Sequence, residues 1–223
     1  MTPPTRARAQ PTRAYGQYCG FARALEVVGE RWAMMIVRDL LVSPKRFSDL
    51  QQSLGKIPSN VLTSRVKQLE ATGVVQRRAL PRAEGGGVVY ELTPYGYELD
   101  DAVVALGRWG AKRLGDPRPN EIVTADSMCM ALHSTFRPEA AGRTRARYEL
   151  HVGPVVVHAV VRDAQVTVGK GPLPKPDLVI EAGPGIRALM AQEITPEQAL
   201  KGKVVRIDGD TKEFARFARI FRI

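Results

Sequence analysis

Apolar residues recur at helical spacing soon after position 15. Phe21, Leu25, Val28 and Trp32 follow one another three or four residues apart, interrupted by Gly29. A short helix is therefore expected to hand over to a second one. The second carries Trp32, Met35, Ile36 and Leu40 on one face. It stops before Ser43-Pro44, because a residue preceding proline is pushed out of helical geometry.

Phe47, Leu50 and Leu54 stripe the next short helix, which ends at Gly55. Ile57-Pro58-Ser59 leads into another, with Ser59 as the expected N-cap. Its buried stripe is Leu62, Val66 and Leu69, and Gly73 supplies the stop. Two such helices, joined by a few residues that include glycine, have the pattern of a helix-turn-helix. The period then changes. VVQRRAL (74–80) and VVYEL (88–92) are rich in β-branched residues and flank PRAEGGG (81–87), which predicts a hairpin with a mobile tip. Thr93-Pro94 caps a long helix lined on one side by Leu99, Val103, Leu106 and Trp109, with proline where its missing N–H does no harm. A helix-turn-helix followed at once by a basic hairpin is a winged helix.

GDPRPNEI (115–122) is the expected linker, and beyond it the chain turns strand-rich. MCMALH (128–133), RYELHV (147–152), VVVHAVVR (155–162), QVTVG (165–169), DLVIEA (177–182) and KVVRID (203–208) read as strands. Helical patterns fall at 184–192 and 196–201, and FARFARIF (214–221) is amphipathic. The resulting class is α+β. Its expected divisions are a basic arm at 1–14, a winged-helix domain at 15–115, a linker at 116–125 and a second domain at 126–223.

Charge adds a direction to this outline. The 223 residues hold 33 Lys and Arg against 23 Asp and Glu, a net charge of +10. Residues 1–115 carry 17 basic and 10 acidic side chains, a net of +7, and residues 116–223 carry the remaining +3. The first half is thus the one suited to a polyanion. The arm, MTPPTRARAQPTRA, has the composition of a disordered segment. No apolar run approaches the ~18 residues of a membrane span, and no signal segment is expected at the start. Cys19 and Cys129 are too few for a disulfide framework or a four-cysteine zinc site, so the expected compartment is a reducing cytoplasm.

With Leu62, Val66 and Leu69 inward, Asn60, Thr63, Ser64 and Lys67 face outward: small polar groups and a cation, suited to the major groove of double-stranded DNA. Ser59, at the helix N-terminus, is placed to hold a phosphate, and Arg65 flanks the face. Arg77, Arg78 and Arg82 lie on or beside the hairpin, where arginine suits a narrow minor groove. Arg77 and Arg78 point to opposite sides of their strand, so one of the two is expected to face DNA.

ALEVVGERW (24–32), IVRDLL (36–41), RFSDLQQSL (46–54), IPSNVLTSRVKQLEATGVV (57–75) and YELTPYG (90–96) together resemble the HxlR-type bacterial transcription regulators, winged-helix proteins related to the MarR group. The resemblance covers roughly residues 15–115. It implies a homodimer on a pseudo-palindromic operator, built from the first helix and the long helix after the wing. Leu25, Val28, Leu99, Val103, Leu106 and Trp109 are the matching interface residues. The wing departs from the family's usual proline-rich pattern. Cys19 falls where some members sense oxidants, but Gly20 follows it where the family often has proline. Two readings stand for Cys19: a buried structural cysteine, or a reactive thiol assisted by Arg23.

The second half has no G-x-S-x-G, no phosphate-binding G-x-x-x-x-G-K-[ST] and no H-E-x-x-H, and its three histidines lack metal-ligand spacing. No enzyme activity, cofactor or metal is expected. PDLVIEAGPGIRALMAQEITPEQALKGKVVRIDGD (176–210) resembles the type-two sterol carrier protein domain. That resemblance implies a five-stranded, mostly antiparallel sheet with helices on one face, around an apolar tunnel for a lipid-like molecule. Candidate lining residues are Met128, Met130, Leu132, Leu189, Met190, Phe214, Phe217 and Phe221, each of which core packing would also explain. The combined expectation is a dimeric DNA-binding regulator controlled by an apolar ligand. Its rivals are a lipid carrier whose winged helix does not bind DNA, and a regulator that senses oxidants through Cys19.

Overall fold

The computed structural model describes residues 14–115 and 117–223, so the expected arm lies, apart from Ala14, outside the described residues. The chain divides into two compact units that meet at Asp101 and Ala102. This boundary falls inside a helix and precedes the expected linker at 116–125.

The first unit opens with α1 (Gly20–Val28) and α2 (Ala33–Val42), joined by the expected turn after Gly29. Helices α3 (Phe47–Ser53) and α4 (Ser59–Ala71) follow. Ile36, Leu40, Leu50 and Leu62 are wholly buried in one core, whereas Met35, expected on the same face of α2, is 39% exposed. A buried charge ties α2 to α3. Asp39 is fully enclosed, and its carboxylate accepts hydrogen bonds from Arg38 Nη2 at 2.6 Å and Ser53 Oγ at 2.6 Å.

Strands β1 (Val75–Ala79) and β2 (Val88–Leu92) form the wing, with Arg77 opposite Tyr90. The chain just before α3 adds to it. The Lys45 N–H donates to the Tyr90 carbonyl at 2.9 Å, and the Tyr90 N–H returns to the Lys45 carbonyl at 2.7 Å. The tip carries local structure of its own. Arg82–Glu84 make a 3-10 turn, and the Leu80 N–H closes the loop onto the Gly87 carbonyl at 2.8 Å.

Two sequence expectations need correction here. Pro58, not Ser59, is the N-cap of α4, since the Leu62 N–H already donates to the Pro58 carbonyl. The long helix after the wing is two pieces, α5 (Pro94–Tyr97) and α6 (Asp100–Ala111). Between them the Leu99 N–H reaches back three residues to the Gly96 carbonyl at 3.2 Å, a tightened turn that interrupts the α-helix.

The second unit contains α7 (Ala125–Thr135), α8 (Pro138–Ala141), β3 (Arg145–Val152), β4 (Val155–Arg162), β5 (Gln165–Lys170), β6 (Leu178–Ala182), α9 (Ile186–Met190), α10 (Pro196–Lys201), β7 (Val205–Gly209) and α11 (Thr211–Ile220). Its five-stranded sheet runs β5-β4-β3-β6-β7, with β3 and β6 parallel and the other pairs antiparallel, one strand fewer than the sequence pattern predicted. Residues 128–133, expected to be a strand, belong to α7. Thr124 Oγ1 accepts the Ser127 N–H at 3.1 Å and Ser127 Oγ accepts the Thr124 N–H at 3.0 Å, a capping box that starts a helix at this point. Helix α7 then packs on β4 and β5.

Alternation along β3 sends Ala146, Tyr148, Leu150 and Val152 into the core and the residues between them to the other face. On that other face Glu149 is buried. Its carboxylate accepts the Leu173 N–H at 2.6 Å and meets His151 Nε2 at 2.6 Å, while His158 Nδ1 lies 2.9 Å from the Gly171 carbonyl. Burial raises the Glu149 pKa, but the Leu173 N–H and the His151 ring together outweigh it and hold the carboxyl below its usual value. A depressed carboxyl stabilises the fold above its unfolded pKa, and that contribution is lost as pH falls through the folded value. Thermal melts from pH 7 down to pH 3 should therefore show a Tm that falls below about pH 4.3. Glu149→Gln should flatten that acid limb, and an acid limb equally steep in the variant would assign it to other groups.

Candidate nucleic-acid interface

Helix α4 owes its outward face to what it buries. Leu62, Val66 and Leu69 are at most 1% exposed, so the helical period leaves Asn60, Ser64 and Lys67 in solvent and Thr63 half-exposed. Ser59 is also exposed, at the first helical position. Thr63 Oγ1 donates to the Ser59 carbonyl at 2.8 Å. Gly55, at φ +65°, lets the chain turn between α3 and α4, with Leu54 and Ile57 buried on either side of it.

The motif RFSDL is legible as geometry at this point. The Asp49 carboxylate accepts the Arg46 N–H at 3.1 Å and caps α3, Leu50 enters the core, and the Arg46 guanidinium extends to the Gly85 carbonyl at 3.3 Å. A Cβ on Gly87 would stand 2.7 Å from Arg46 Nη1, so the glycine-rich tip gives the guanidinium its room. YELTPYG has an equally local explanation. Thr93 Oγ1 accepts the Gly96 N–H at 3.1 Å and donates to the Gly73 carbonyl at 2.6 Å, fastening the exit of the wing to the end of α4.

The cations sort into two groups. Arg65 donates to Gln68 Oε1 at 2.6 Å and pairs with Glu30 at 3.1 Å. Arg77 pairs with Glu70 at 2.7 Å and stacks over the Tyr90 ring, and Arg78 pairs with Glu91 at 2.7 Å. The hydrogen bonds that Arg77 and Arg78 donate to those carboxylates raise the pKa of each guanidinium. Lys67 on α4 and Arg82 at the wing tip are both exposed, and among the described residues neither side chain has a hydrogen-bond or ion-pair partner. Of the cations expected at the interface, these two are the ones without a partner. Lys56, exposed in the turn before α4, was missed from sequence because it lies outside both helical stripes.

The remaining candidates are placed as follows. In the first unit Val28 is buried, Leu25 and Leu99 are half-buried, and Phe21 stays 73% exposed on α1. In the second unit Val103 is buried, whereas Leu106 and Trp109 on α6 are 54% and 70% exposed. Cys19 is exposed at the N-cap of α1, contrary to a buried structural role. The Arg23 guanidinium is held by Glu26 at 2.7 Å, so the cation expected to assist Cys19 is already engaged.

Of the proposed tunnel residues, Met130, Leu132, Leu189, Met190, Phe214, Phe217 and Phe221 are buried and Met128 is half-buried. The rings of Tyr148, Phe217 and Phe221 pack on one another at 4.8–6.0 Å. Two surface cavities of about 410 and 370 Å³ lie at opposite ends of strand β3, and none of the eight lines either one. Among the described residues no group of three or more His, Cys, Asp or Glu could hold a metal, and no helix is long and apolar enough to cross a membrane.

Helix-turn-helix and wing together define the first unit as a winged helix-turn-helix. Residues 27–117 match the family described as HxlR-like helix-turn-helix. The uncharacterised HTH-type transcriptional regulator YvaP of Bacillus subtilis is 32% identical over 92 residues, which are 41% of this chain and 84% of that protein. Rv3095 of Mycobacterium tuberculosis, also an uncharacterised HTH-type transcriptional regulator, is 39% identical over 97 residues, 44% of this chain and 59% of that protein. A crystal structure of the HTH-type regulator YtcD is 33% identical, covers 43% of this chain and 96% of that one, and superposes with a TM-score of 0.40. The chain belongs to the HxlR-like helix-turn-helix family, a family of transcriptional regulators and not of enzymes. It spans about three fifths of the length of the mycobacterial relatives it matches. The match ends at residue 117, so the family assignment concerns the winged helix and not the sheet that follows.

Proposed function

We propose that this protein is a sequence-specific DNA-binding transcriptional regulator that acts as a homodimer on a pseudo-palindromic operator. The observation that carries the reading is the pairing pattern of its cations. Arg65, Arg77 and Arg78 are each paired with a carboxylate of the fold, while Lys67 on the outward face of α4 and Arg82 at the wing tip have no such partner. Major-groove reading then falls to Asn60, Thr63 and Ser64, with Lys67 and Ser59 on phosphates and Arg82 in the minor groove. The exposed apolar side chains of α1 and, separately, of α6 support a homodimer.

The test is binding to the DNA upstream of its own gene against scrambled DNA, at two salt concentrations. Specific binding should exceed non-specific binding by at least ~10³ and persist at physiological salt. Lys67→Ala and Arg82→Ala should each weaken it about tenfold and lower the salt slope by about one. Arg78→Ala, which removes a cation already paired to Glu91, should change affinity less than threefold on the same scale. Equal, salt-labile binding of both DNAs would favour the lipid-carrier reading. An oxidant response lost in Cys19→Ser would favour the redox reading.

For the second unit we propose a ligand-binding role, in line with the resemblance of residues 176–223 to the sterol carrier domain. One observation favours a ligand in the aromatic core. The Tyr148 hydroxyl is buried without a hydrogen-bond partner among the described residues, and so is Glu213 Oε2. A buried hydroxyl left without a partner is costly, and the polar end of an apolar ligand would satisfy it. Such a ligand controls DNA binding only if it distinguishes the DNA-competent state from the incompetent one.

A further inference from the structure

We infer that the second unit carries an oxyanion site, formed by Arg145, Arg147 and Arg162, for a small molecule bearing phosphate or carboxylate groups. Residues two apart on a strand share a face, which puts Arg145 and Arg147 together on β3. The register sets Arg162 of β4 directly opposite Arg145. Like charges facing each other across an antiparallel pair destabilise a sheet, so an Arg–Arg pair at this position runs against the fold's own interest. All three arginines line the cavity of about 370 Å³, along with Val160 and Asp177.

The nearby acids do not neutralise the cluster. Asp163 pairs with Arg145 at 3.2 Å, but the two side chains are 54% and 72% exposed, where solvent leaves little attraction. One oxygen of the Asp177 carboxylate accepts the backbone N–H of Arg147 at 2.7 Å, and its single charge still leaves the three guanidiniums in excess. Among the described residues the guanidiniums of Arg147 and Arg162 have no ion-pair or hydrogen-bond partner. Guanidinium forks match the planar geometry of carboxylate and phosphate oxygens and bind them in pairs, which a lysine cluster would not do. The other cavity offers a contrast, because Glu181 stands directly across from Arg206 inside it.

The inference does not depend on DNA binding, and its test uses the full chain alone. Calorimetric titration with inorganic pyrophosphate and, separately, with citrate is run at about 0.15 M salt, where diffuse attraction is screened. At least one probe should bind saturably with a one-to-one stoichiometry, and Arg162→Gln should weaken it at least tenfold. Arg206→Gln, in the other cavity, and the Lys67→Ala/Arg82→Ala pair, on the winged helix, should leave affinity unchanged. Without ligand, Arg162→Gln should melt no lower than the parent, since it relieves the repulsion; with ligand, it should lose the Tm gain the parent shows. Pyrophosphate alone binding assigns phosphate as the group, citrate alone assigns carboxylate, and both together assign a general oxyanion site. The proposal is overturned if neither probe saturates up to about 1 mM, if Arg162→Gln binds as well as the parent, or if either control variant loses as much affinity.

Discussion

Gly96→Ala should destabilise the first unit by about 3 kcal/mol, the upper end of what overpacking costs. A Cβ at this position would stand 2.1 Å from the Val74 carbonyl oxygen and 3.2 Å from Leu92 Cβ. Neither neighbour can yield cheaply. The Val74 carbonyl accepts the Thr93 N–H at 3.0 Å, and Leu92 is a buried residue of the wing. Alanine is the better helix former, but that advantage is worth only ~1 kcal/mol and does not offset a backbone clash. Gly73→Ala is the control. Gly73 sits at φ +77° with nothing within 4 Å of its would-be Cβ, so its substitution stores backbone strain of about 1–2 kcal/mol and no clash. Urea unfolding of both variants decides the matter. A Gly96→Ala cost no larger than that of Gly73→Ala would mean that the wing exit is not packed on Val74. If the proposed DNA contact holds, a displaced wing also moves Arg82, so surviving Gly96→Ala protein should bind its operator more weakly than Gly73→Ala protein.

The first unit was legible because its signals are local. The stripe Leu62, Val66, Leu69 and the stops at Ser43-Pro44 and Gly73 each depend on residues within a turn or two. The readings that failed have more than one cause. MCMALH is a short apolar run that periodicity alone cannot assign, and the capping box of Thr124 and Ser127 just before it starts a helix there. In the candidate site the outward residues of α4 were readable, but the state of the arginines was not. Arg78 meets Glu91 only because the hairpin register brings them together, and Arg46 meets Gly85 across 39 residues. Charge type is written in the sequence, whereas pairing is decided by the fold. This is why Arg65, Arg77 and Arg78 looked equivalent to Lys67 and Arg82 until their partners were in view. The facing pair of Arg145 and Arg162 is another case, since a strand register is invisible before the turn between the strands is fixed.

Phe217→Ala should cost the second unit about 3–5 kcal/mol, the penalty for removing a large ring from a closed core. Its ring is fully buried, 5.3 Å from that of Tyr148 and 4.8 Å from that of Phe221, and Phe221 continues the cluster to Phe136 at 5.8 Å. The size of the loss separates two roles for the same residue. A ring on the wall of an open apolar tunnel has no packing partner on one side, so deleting it forfeits little beyond its transfer term, about 2 kcal/mol. A ring enclosed on all sides also leaves a cavity behind. Because the two units need not unfold together, a single melting curve is a poor readout. Hydrogen exchange of the β3 and β4 amides reports the sheet directly. Protection lowered by 3 kcal/mol or more identifies Phe217 as core, and a ligand for this unit must then either remodel the aromatic cluster or bind elsewhere on the sheet. A loss near 2 kcal/mol, together with tighter binding of a fluorescent fatty acid by the enlarged space, would place Phe217 on a tunnel wall and give the buried Tyr148 hydroxyl its partner.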